Sequence, residues 1–204
     1  MLSSKARTAA NRVTEPVGRA LARTGVTANF LTMLGLAGSV AAGALVGAGQ
    51  VQLGGLVTLL AGLPDVLDGA VAKASGSSGP RGAFLDSVVD RLSDAAVLLG
   101  VVWLGAATDA PRLAFLAALV MALALVISYI KARAQSVGFS CEVGIAERPE
   151  RVLLLGAFLL AGFAELGLWV LLVLSAITVV QRVWTVWRQA TEQATEQAAE
   201  QGTE

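Results

Sequence analysis

The amino-acid sequence predicts an all-α integral membrane protein with six transmembrane helices and an N-terminal amphipathic helix at the membrane surface. The chain is 55% hydrophobic and its mean hydropathy is +0.70, which exceeds the apolar content of an ordinary soluble domain. Apolar stretches near the length needed to cross a bilayer recur along it. We therefore expect a basic amphipathic segment over 1–24, a six-helix membrane domain over 25–188 and a flexible low-complexity tail over 189–204.

The N-terminal segment alternates basic and apolar residues at helical spacing, which is typical of a helix lying on a membrane surface. An ordinary solvated helix is the alternative. Pro16 cannot donate a backbone hydrogen bond, so we expect it to break or bend this helix. The basic residues of the segment are Lys5, Arg7, Arg12, Arg19 and Arg23.

The six apolar stretches define the predicted transmembrane helices. Pro64 should kink the second of them, and the residues Ala164–Gly167 are expected to form the turn between the fifth and the sixth. Glycines at 35, 38, 43 and 47 in the first stretch should let helix backbones approach closely. The predicted spans cover roughly 30–49, 51–73, 83–107, 112–136, 150–164 and 167–187.

The distribution of positive charge predicts the orientation. With six spans, Arg112 is the only one of the fifteen Lys and Arg residues that falls on the side opposite both termini. Cytoplasmic loops carry the excess of basic residues, so we expect both termini and the loops after the second and fourth spans to be cytoplasmic. The expected location is the plasma membrane.

Four aspartates stand in otherwise apolar sequence at the same side of the membrane. Asp65 and Asp68 are three residues apart, and Asp86 and Asp90 are four apart, so each pair shares a helix face. Four uncompensated carboxylates in a low-dielectric setting are costly, and divalent cations are their natural partners. A structural salt-bridge cluster is the alternative. Asp94 extends the second face by one turn, and we expect it to support the site rather than to bind metal.

The spacing D-x2-D-G-x2-A-R-x8-G-x3-D-x3-D is the signature of the CDP-alcohol phosphotransferase family of membrane enzymes. This chain resembles it at every defining position except Lys73, where the family usually has arginine. The resemblance implies two Mg²⁺ or Mn²⁺ ions held by Asp65, Asp68, Asp86 and Asp90.

The resemblance also implies the reaction and its donor. A hydroxyl attacks the lipid-side phosphorus of a CDP-linked lipid, CMP leaves, and Asp90 takes the proton of the hydroxyl. Gly69 and Gly82 would let the nucleotide approach the backbone, with helix packing as the alternative for both. Asn29 and Thr32 would contact the base, whereas capping of a helix by Thr27 or Asn29 is the alternative for that segment. The residues expected to bind the CDP-lipid are Asn29, Thr32, Asp68, Gly69, Ala72, Lys73 and Gly82.

Polar and basic residues at three predicted span ends indicate an acceptor that carries a phosphate. Arg182 interrupts an apolar run, which anchoring at the membrane interface explains poorly. The sequences at these span ends resemble those of the actinobacterial phosphatidylinositol phosphate synthases. This resemblance implies CDP-diacylglycerol as donor, inositol phosphate as acceptor and a homodimer. Glycerol phosphate, used by phosphatidylglycerophosphate synthases, is the nearest alternative. The expected phosphate-binding residues are Ser128, Lys131, Arg148, Arg151 and Arg182.

A divalent-cation transporter is the alternative from another functional class. It would use the same intramembrane carboxylates, but it would need neither the motif glycines nor cations from three helix ends. The lipid bilayer is an expected partner, and nucleic acid is not.

Overall fold

The computed structural model describes residues 4–77 and 79–201, and the side chains of residues 14–77 and 79–198. The side chains of Lys5, Arg7 and Arg12 therefore lie outside the described part. Within that part the chain forms eight α-helices and no strand. They are α1 (Ser4–Arg23), α2 (Ala28–Gly47), α3 (Val51–Ala61), α4 (Leu63–Ser75), α5 (Pro80–Ala107), α6 (Pro111–Ser136), α7 (Arg148–Leu160) and α8 (Ala164–Gln201).

Helix α1 is continuous through Pro16, so the predicted break at this proline is absent. A proline removes one backbone hydrogen bond, and the other bonds of α1 together with its packing on α4 maintain the helix. The two helices touch at Gly18, where a Cβ atom would lie only 2.7 Å from the Cβ of Ala70. A glycine at this position therefore lets α1 lie directly on α4.

Within the described residues, four segments are long and apolar enough to cross a membrane: 28–47, 51–75, 111–136 and 164–198. The chain is thus an all-helical protein with several membrane-spanning candidates. The predicted third span corresponds to α5, which has 28 residues but carries five charged side chains in its first fifteen residues. The predicted fifth span corresponds to α7, whose 13 residues extend only about 20 Å.

The predicted second span is divided into α3 and α4 at Gly62. Pro64 is the second residue of α4, where its missing N–H group would have no intrahelical partner in any case. The expected kink is therefore confirmed as an interruption. It places the first aspartate of the motif, Asp65, in the first turn of α4.

The turn between α7 and α8 lies earlier than the predicted Ala164–Gly167, which is therefore wrong. Helix α7 ends at Leu160 because Gly162 adopts a positive φ of 79°, a left-handed conformation that terminates helices. Gly167 lies inside α8, where a Cβ atom would stand 2.5 Å from the Cβ of Phe158. This glycine therefore serves close packing of α8 on α7 rather than a turn.

Helix α8 continues through the repetitive tail as far as Gln201, although the sequence predicts a flexible segment in which stacked glutamates disfavour a helix. Alanine, glutamate and glutamine are strong helix formers, and their propensity outweighs the weak repulsion of glutamates four residues apart. Arg188 also forms a 3.2 Å ion pair with Glu192, one turn away. The last three residues of the predicted tail lie outside the described part of the chain.

Glycines set the closest helix crossings, as predicted for the first apolar stretch. A Cβ atom on Gly43 of α2 would overlap the carbonyl of Ala96 in α5, and one on Gly100 would overlap Gly43 itself. Gly55 of α3 and Gly156 of α7 form a similar crossing. Helices α2 and α5 consequently pack with their backbones in contact. The buried core comprises Ala42, Val46, Val97, Leu98, Val101, Leu116, Ala117, Val120, Leu155, Leu159, Leu168 and Leu171.

Candidate metal and nucleotide site

The two halves of the aspartate motif lie on α4 and α5, which a short connector joins. Helix α4 ends at Ser75, Gly76 follows with a positive φ of 67° as a left-handed cap, and α5 begins at Pro80. The chain reverses there, so α4 and α5 place their aspartates side by side.

Three of the four motif aspartates form one cluster. Asp65, Asp68 and Asp86 are half-buried, and each offers a carboxylate oxygen within 4.8 Å of the other two. Asp68 accepts a 3.0 Å hydrogen bond from the hydroxyl of Thr32 in α2. Among the described residues, neither Asp68 nor Asp86 has a basic side chain within ion-pair distance. This aspartate trio therefore retains uncompensated negative charge.

The aspartate trio fits a hard divalent cation, because such ions bind through several carboxylate oxygens. Three half-buried carboxylates this close repel one another strongly unless a cation lies between them. Carboxylates suit Mg²⁺ and Mn²⁺ equally, so the donor set does not choose between them. The fourth predicted ligand, Asp90, stands outside the aspartate trio.

Asp90 lies next to the aspartate trio and contacts arginines. Its carboxylate oxygens lie 2.9 Å from Nη1 of Arg148 and 3.2 Å from Nη1 of Arg91. Arg148 begins α7, and the same Nη1 atom also forms an ion pair with Asp65. The sequence predicts Arg148 in the acceptor pocket; the structure places it between the aspartate trio and Asp90.

Asp94, one turn beyond Asp90 in α5, extends the arginine contacts, and its supporting role stays a prediction. Its carboxylate lies 2.7 Å from Nη2 of Arg151 and 3.5 Å from Nε of Arg148. Arg151 is 7% exposed and also donates a 3.0 Å hydrogen bond to the carbonyl of Ala146. A cavity of about 30 Å³, the space of roughly one water, lies beside these groups. Arg151 is therefore part of a buried ion-pair network.

A cleft of about 660 Å³ opens beside the aspartate trio, between α2, α4 and the start of α5. A Cβ atom on Gly69 or Gly82 would meet no atom within 4 Å, which excludes helix packing as the role of either glycine. Thr27 caps α2 by accepting a 3.2 Å hydrogen bond from the N–H of Phe30, and it lines the cleft together with Asn29. Six of the seven predicted CDP-lipid residues line the cleft: Asn29, Thr32, Asp68, Gly69, Ala72 and Gly82.

Lys73, the seventh, is not among the residues that line the cleft. Its ammonium group lies 2.9 Å from the carboxylate of Glu15 in α1, and its side chain is 74% exposed. The hydrogen bond and the charge of Lys73 hold the pKa of Glu15 below its usual range. Arg81, which the sequence analysis does not select, lines the cleft instead. The available sequence signal is its position directly before Gly82, as the only basic residue between Lys73 and Arg91.

The other predicted acceptor residues do not converge on one open pocket. The hydroxyl of Ser128 donates to the carbonyl of Ala124 at 3.0 Å, and Lys131 forms a 3.1 Å ion pair with Glu142. Arg182 is 3% exposed. Its guanidinium group donates hydrogen bonds of 2.8 and 2.7 Å to two backbone carbonyls, of Val143 and Ile127. Arg182 therefore ties the segment between α6 and α7 to α6 and α8.

The part of the chain that matches known proteins is nearly the same as the predicted membrane domain. The sequence profile of the CDP-alcohol phosphatidyltransferase family matches residues 25–187. A phosphatidylinositol phosphate synthase from Mycobacteroides abscessus is 39% identical over 184 residues, covering 86% of this chain and 84% of that protein.

Two crystal structures of the Mycobacterium tuberculosis phosphatidylinositol phosphate synthase, each 37% identical, also resemble this fold. One has CDP-diacylglycerol bound, with a TM-score of 0.77 over 86% of this chain and 94% of that chain. The other is a complex with manganese and citrate, with a TM-score of 0.78 over 86% and 89%.

Proposed function

The chain belongs to the CDP-alcohol phosphatidyltransferase family, and we propose that it transfers the phosphatidyl group of CDP-diacylglycerol to inositol phosphate. The products are phosphatidylinositol phosphate and CMP. The observation that carries this proposal is the aspartate trio at the edge of a cleft whose two motif glycines face open space. The relatives named phosphatidylinositol phosphate synthase support the choice of acceptor.

The residues around the aspartate trio suit displacement at phosphorus. Asp65, Asp68 and Asp86 would hold metal, with Asp90 as a further ligand or the base; two ions of Mg²⁺ or Mn²⁺ are proposed. When bound, the metal offsets the negative charge that develops on the diphosphate. A hydroxyl oxygen of inositol phosphate bonds to the lipid-side phosphorus, and the bond from that phosphorus to the CMP oxygen breaks. Asp90 accepts the hydroxyl proton, and Arg148 orients its carboxylate.

The cleft is the proposed donor site. Its polar lining from Asn29 and Thr32 faces the position proposed for cytosine, and Gly69 with Gly82 leaves room for the ribose and diphosphate. The exposed apolar residues on α2 and α4 near this end would contact the acyl chains. Phe30, Leu34 and Leu63 are all about half exposed or more.

The proposed acceptor site lies on the other side of Asp90, toward α6 and α7. Arg148 is the residue best placed to serve it, because its guanidinium group reaches Asp90 from the start of α7. The ion pair of Lys131 is partly exposed, and such pairs contribute little to the free energy of folding. The ammonium group of Lys131 can therefore leave this pair and bind a phosphate. Direct contacts from Ser128, Arg151 and Arg182 stay predictions.

We also propose that α5 and α7 complete a six-span arrangement in the plasma membrane, with the site and both termini cytoplasmic. The positive charge of the chain supports this orientation. Four exposed tryptophans would occupy the two interfaces, and a homodimer is proposed from the resemblance alone. These tryptophans are Trp103, Trp169, Trp184 and Trp187.

The experiment that tests the function is an acceptor panel with purified protein in lipid micelles. Labelled CDP-diacylglycerol and Mn²⁺ are supplied with inositol phosphate, glycerol phosphate or free inositol, and the lipid product and CMP are both measured. We expect phosphatidylinositol phosphate as the main product and little reaction with free inositol. Preferred use of glycerol phosphate would identify a phosphatidylglycerophosphate synthase. Absence of any lipid product, together with uptake of Mn²⁺ into vesicles that contain the protein, would overturn the enzyme.

The two motif glycines allow a prediction that separates function from folding. Gly69→Ala adds a methyl group to the cleft wall without touching any neighbour, so activity should fall while stability stays equal or rises by about 0.5–1 kcal/mol. Gly43→Ala is the matched control, because its methyl group would overlap the carbonyl of Ala96 and should cost about 1–3 kcal/mol. Thermal unfolding and the KM for CDP-diacylglycerol are measured for both variants. Full activity of Gly69→Ala would remove this glycine from the donor site.

A further inference from the structure

We infer that Arg81, and not Lys73, supplies the protein cation that binds the diphosphate of the CDP-lipid in this chain. The inference rests on the proposed function, because it concerns the donor site of that reaction. It differs from the assignment that the family motif alone would suggest. Two independent features of the structure support it: the position of Lys73 and the position of Arg81.

The side chain of Lys73 lies outside the cleft and is paired with another residue. It lies in the last turn of α4, and its side chain points to α1, where it forms the 2.9 Å ion pair with Glu15. The contact between Gly18 and Ala70 holds α1 on this side of α4, so Glu15 stays within reach. Lysine also lacks the planar fork with which arginine binds two phosphate oxygens at once. A lysine at this motif position therefore joins α1 to α4.

Arg81 has the opposite surroundings. It lines the cleft together with Gly69, Gly82, Asp68 and Asp86, and it is the only lysine or arginine among the described lining residues. No carboxylate of the described part of the chain lies within ion-pair distance of its guanidinium group. Its five N–H donors are therefore free for a diphosphate that reaches the carboxylates of Asp68 and Asp86.

The position of Arg81 in α5 also indicates an anionic ligand. It is in the first turn of a 28-residue helix that has no acidic residue in that turn and no side-chain cap. A cation in this turn is disfavoured by the helix dipole unless an anion lies nearby. A diphosphate in the cleft would interact favourably with both the guanidinium group and the N-terminal end of the helix.

The test compares Arg81→Ala, Arg81→Lys and Lys73→Ala with the unmodified protein. Deleting one charged hydrogen-bond partner costs roughly 1.5–3 kcal/mol, or about one to two decades in affinity. We therefore expect Arg81→Ala to raise both the Kd for CDP, measured by titration calorimetry, and the KM for CDP-diacylglycerol by about 10–100-fold. Arg81→Lys should give values of this Kd and KM between those of Arg81→Ala and the unmodified protein. The KM for inositol phosphate should change little. The loss in Lys73→Ala should be at least about tenfold smaller than the loss in Arg81→Ala.

Arg133→Ala is the matched control, because Arg133 is an exposed arginine whose guanidinium group, in the described part of the chain, hydrogen-bonds only to Ser136. It should behave like the unmodified protein, and thermal unfolding verifies that each variant is folded. Unchanged CDP affinity in Arg81→Ala, or a larger loss in Lys73→Ala, overturns the inference. Failure of the unmodified protein to form phosphatidylinositol phosphate would instead count against the proposed function, whereas the CDP titration would still decide between Arg81 and Lys73.

Discussion

Replacing Asp86 by asparagine should reduce CMP release by more than about a hundredfold. Asp86 is a member of the aspartate trio and has no basic partner among the described residues, so its charge is free to bind metal. Loss of a residue that only supports a metal ligand costs about 10–100-fold in metal affinity or activity, and loss of a ligand should exceed this. Asp65→Asn and Asp68→Asn should behave in the same way.

The matched control is Asp109→Asn. Asp109 is exposed, lies in the turn between α5 and α6, and adopts a positive φ of 53° that asparagine tolerates. The activity and the Mn²⁺ affinity of the Asp109→Asn variant should equal those of the unmodified protein. An Asp86→Asn variant with normal turnover would show that the aspartate trio is not the metal site. Loss of turnover with unaltered Mn²⁺ affinity would assign Asp86 another role.

Replacing Arg151 by alanine should destabilise the protein by about 3–5 kcal/mol. This arginine is buried, and its removal deprives the carboxylate of Asp94 of the closer of its two ion-pair partners. Breaking one partner of a buried pair leaves an uncompensated charge, which accounts for the large cost. The measurement is thermal and denaturant unfolding in micelles, followed by the KM for inositol phosphate on whatever remains folded.

Two further variants separate a structural role of Arg151 from direct phosphate binding. Adding Asp94→Asn removes the stranded charge, so the double variant should regain part of the lost stability. Arg133→Ala, on the exposed end of α6, should have no effect. Normal stability of Arg151→Ala combined with a selective loss of inositol phosphate use would contradict the structural role and make Arg151 a phosphate ligand.

Local spacing predicts the faces of α4 and α5, but it does not predict which aspartates meet. Asp86 and Asp90 are one turn apart on one helix, and only Asp86 joins the aspartate trio. The choice depends on how α5 is oriented beside α4, and α5 is held by its packing on α2, where Gly43 and Gly100 meet far from the aspartates in sequence. Arg148 reaches Asp90 from α7, more than fifty residues away, and no sequence period reports such a contact.

The contacts of Lys73 also depend on how helices pack against one another. The motif predicts its position on α4, whereas the ion pair with Glu15 depends on α1 packing against that helix. For Arg182, the interrupted apolar run correctly marks a buried cation, but burial alone does not distinguish a phosphate ligand from a contact to backbone carbonyls. In the tail, repulsion between glutamates does not prevent a helix, because intrinsic helix propensity outweighs this repulsion.

The central claim is that metal bound by the aspartate trio is required for phosphatidyl transfer. The direct measurement is a titration of metal-free protein with Mn²⁺, in which bound Mn²⁺ is counted by electron paramagnetic resonance and CMP release is followed in the same sample. We expect no CMP release in excess chelator and a rise in proportion to bound Mn²⁺, with Mg²⁺ as a substitute. CMP release at the full rate in excess chelator, or a rise that is unrelated to bound Mn²⁺, would contradict the claim.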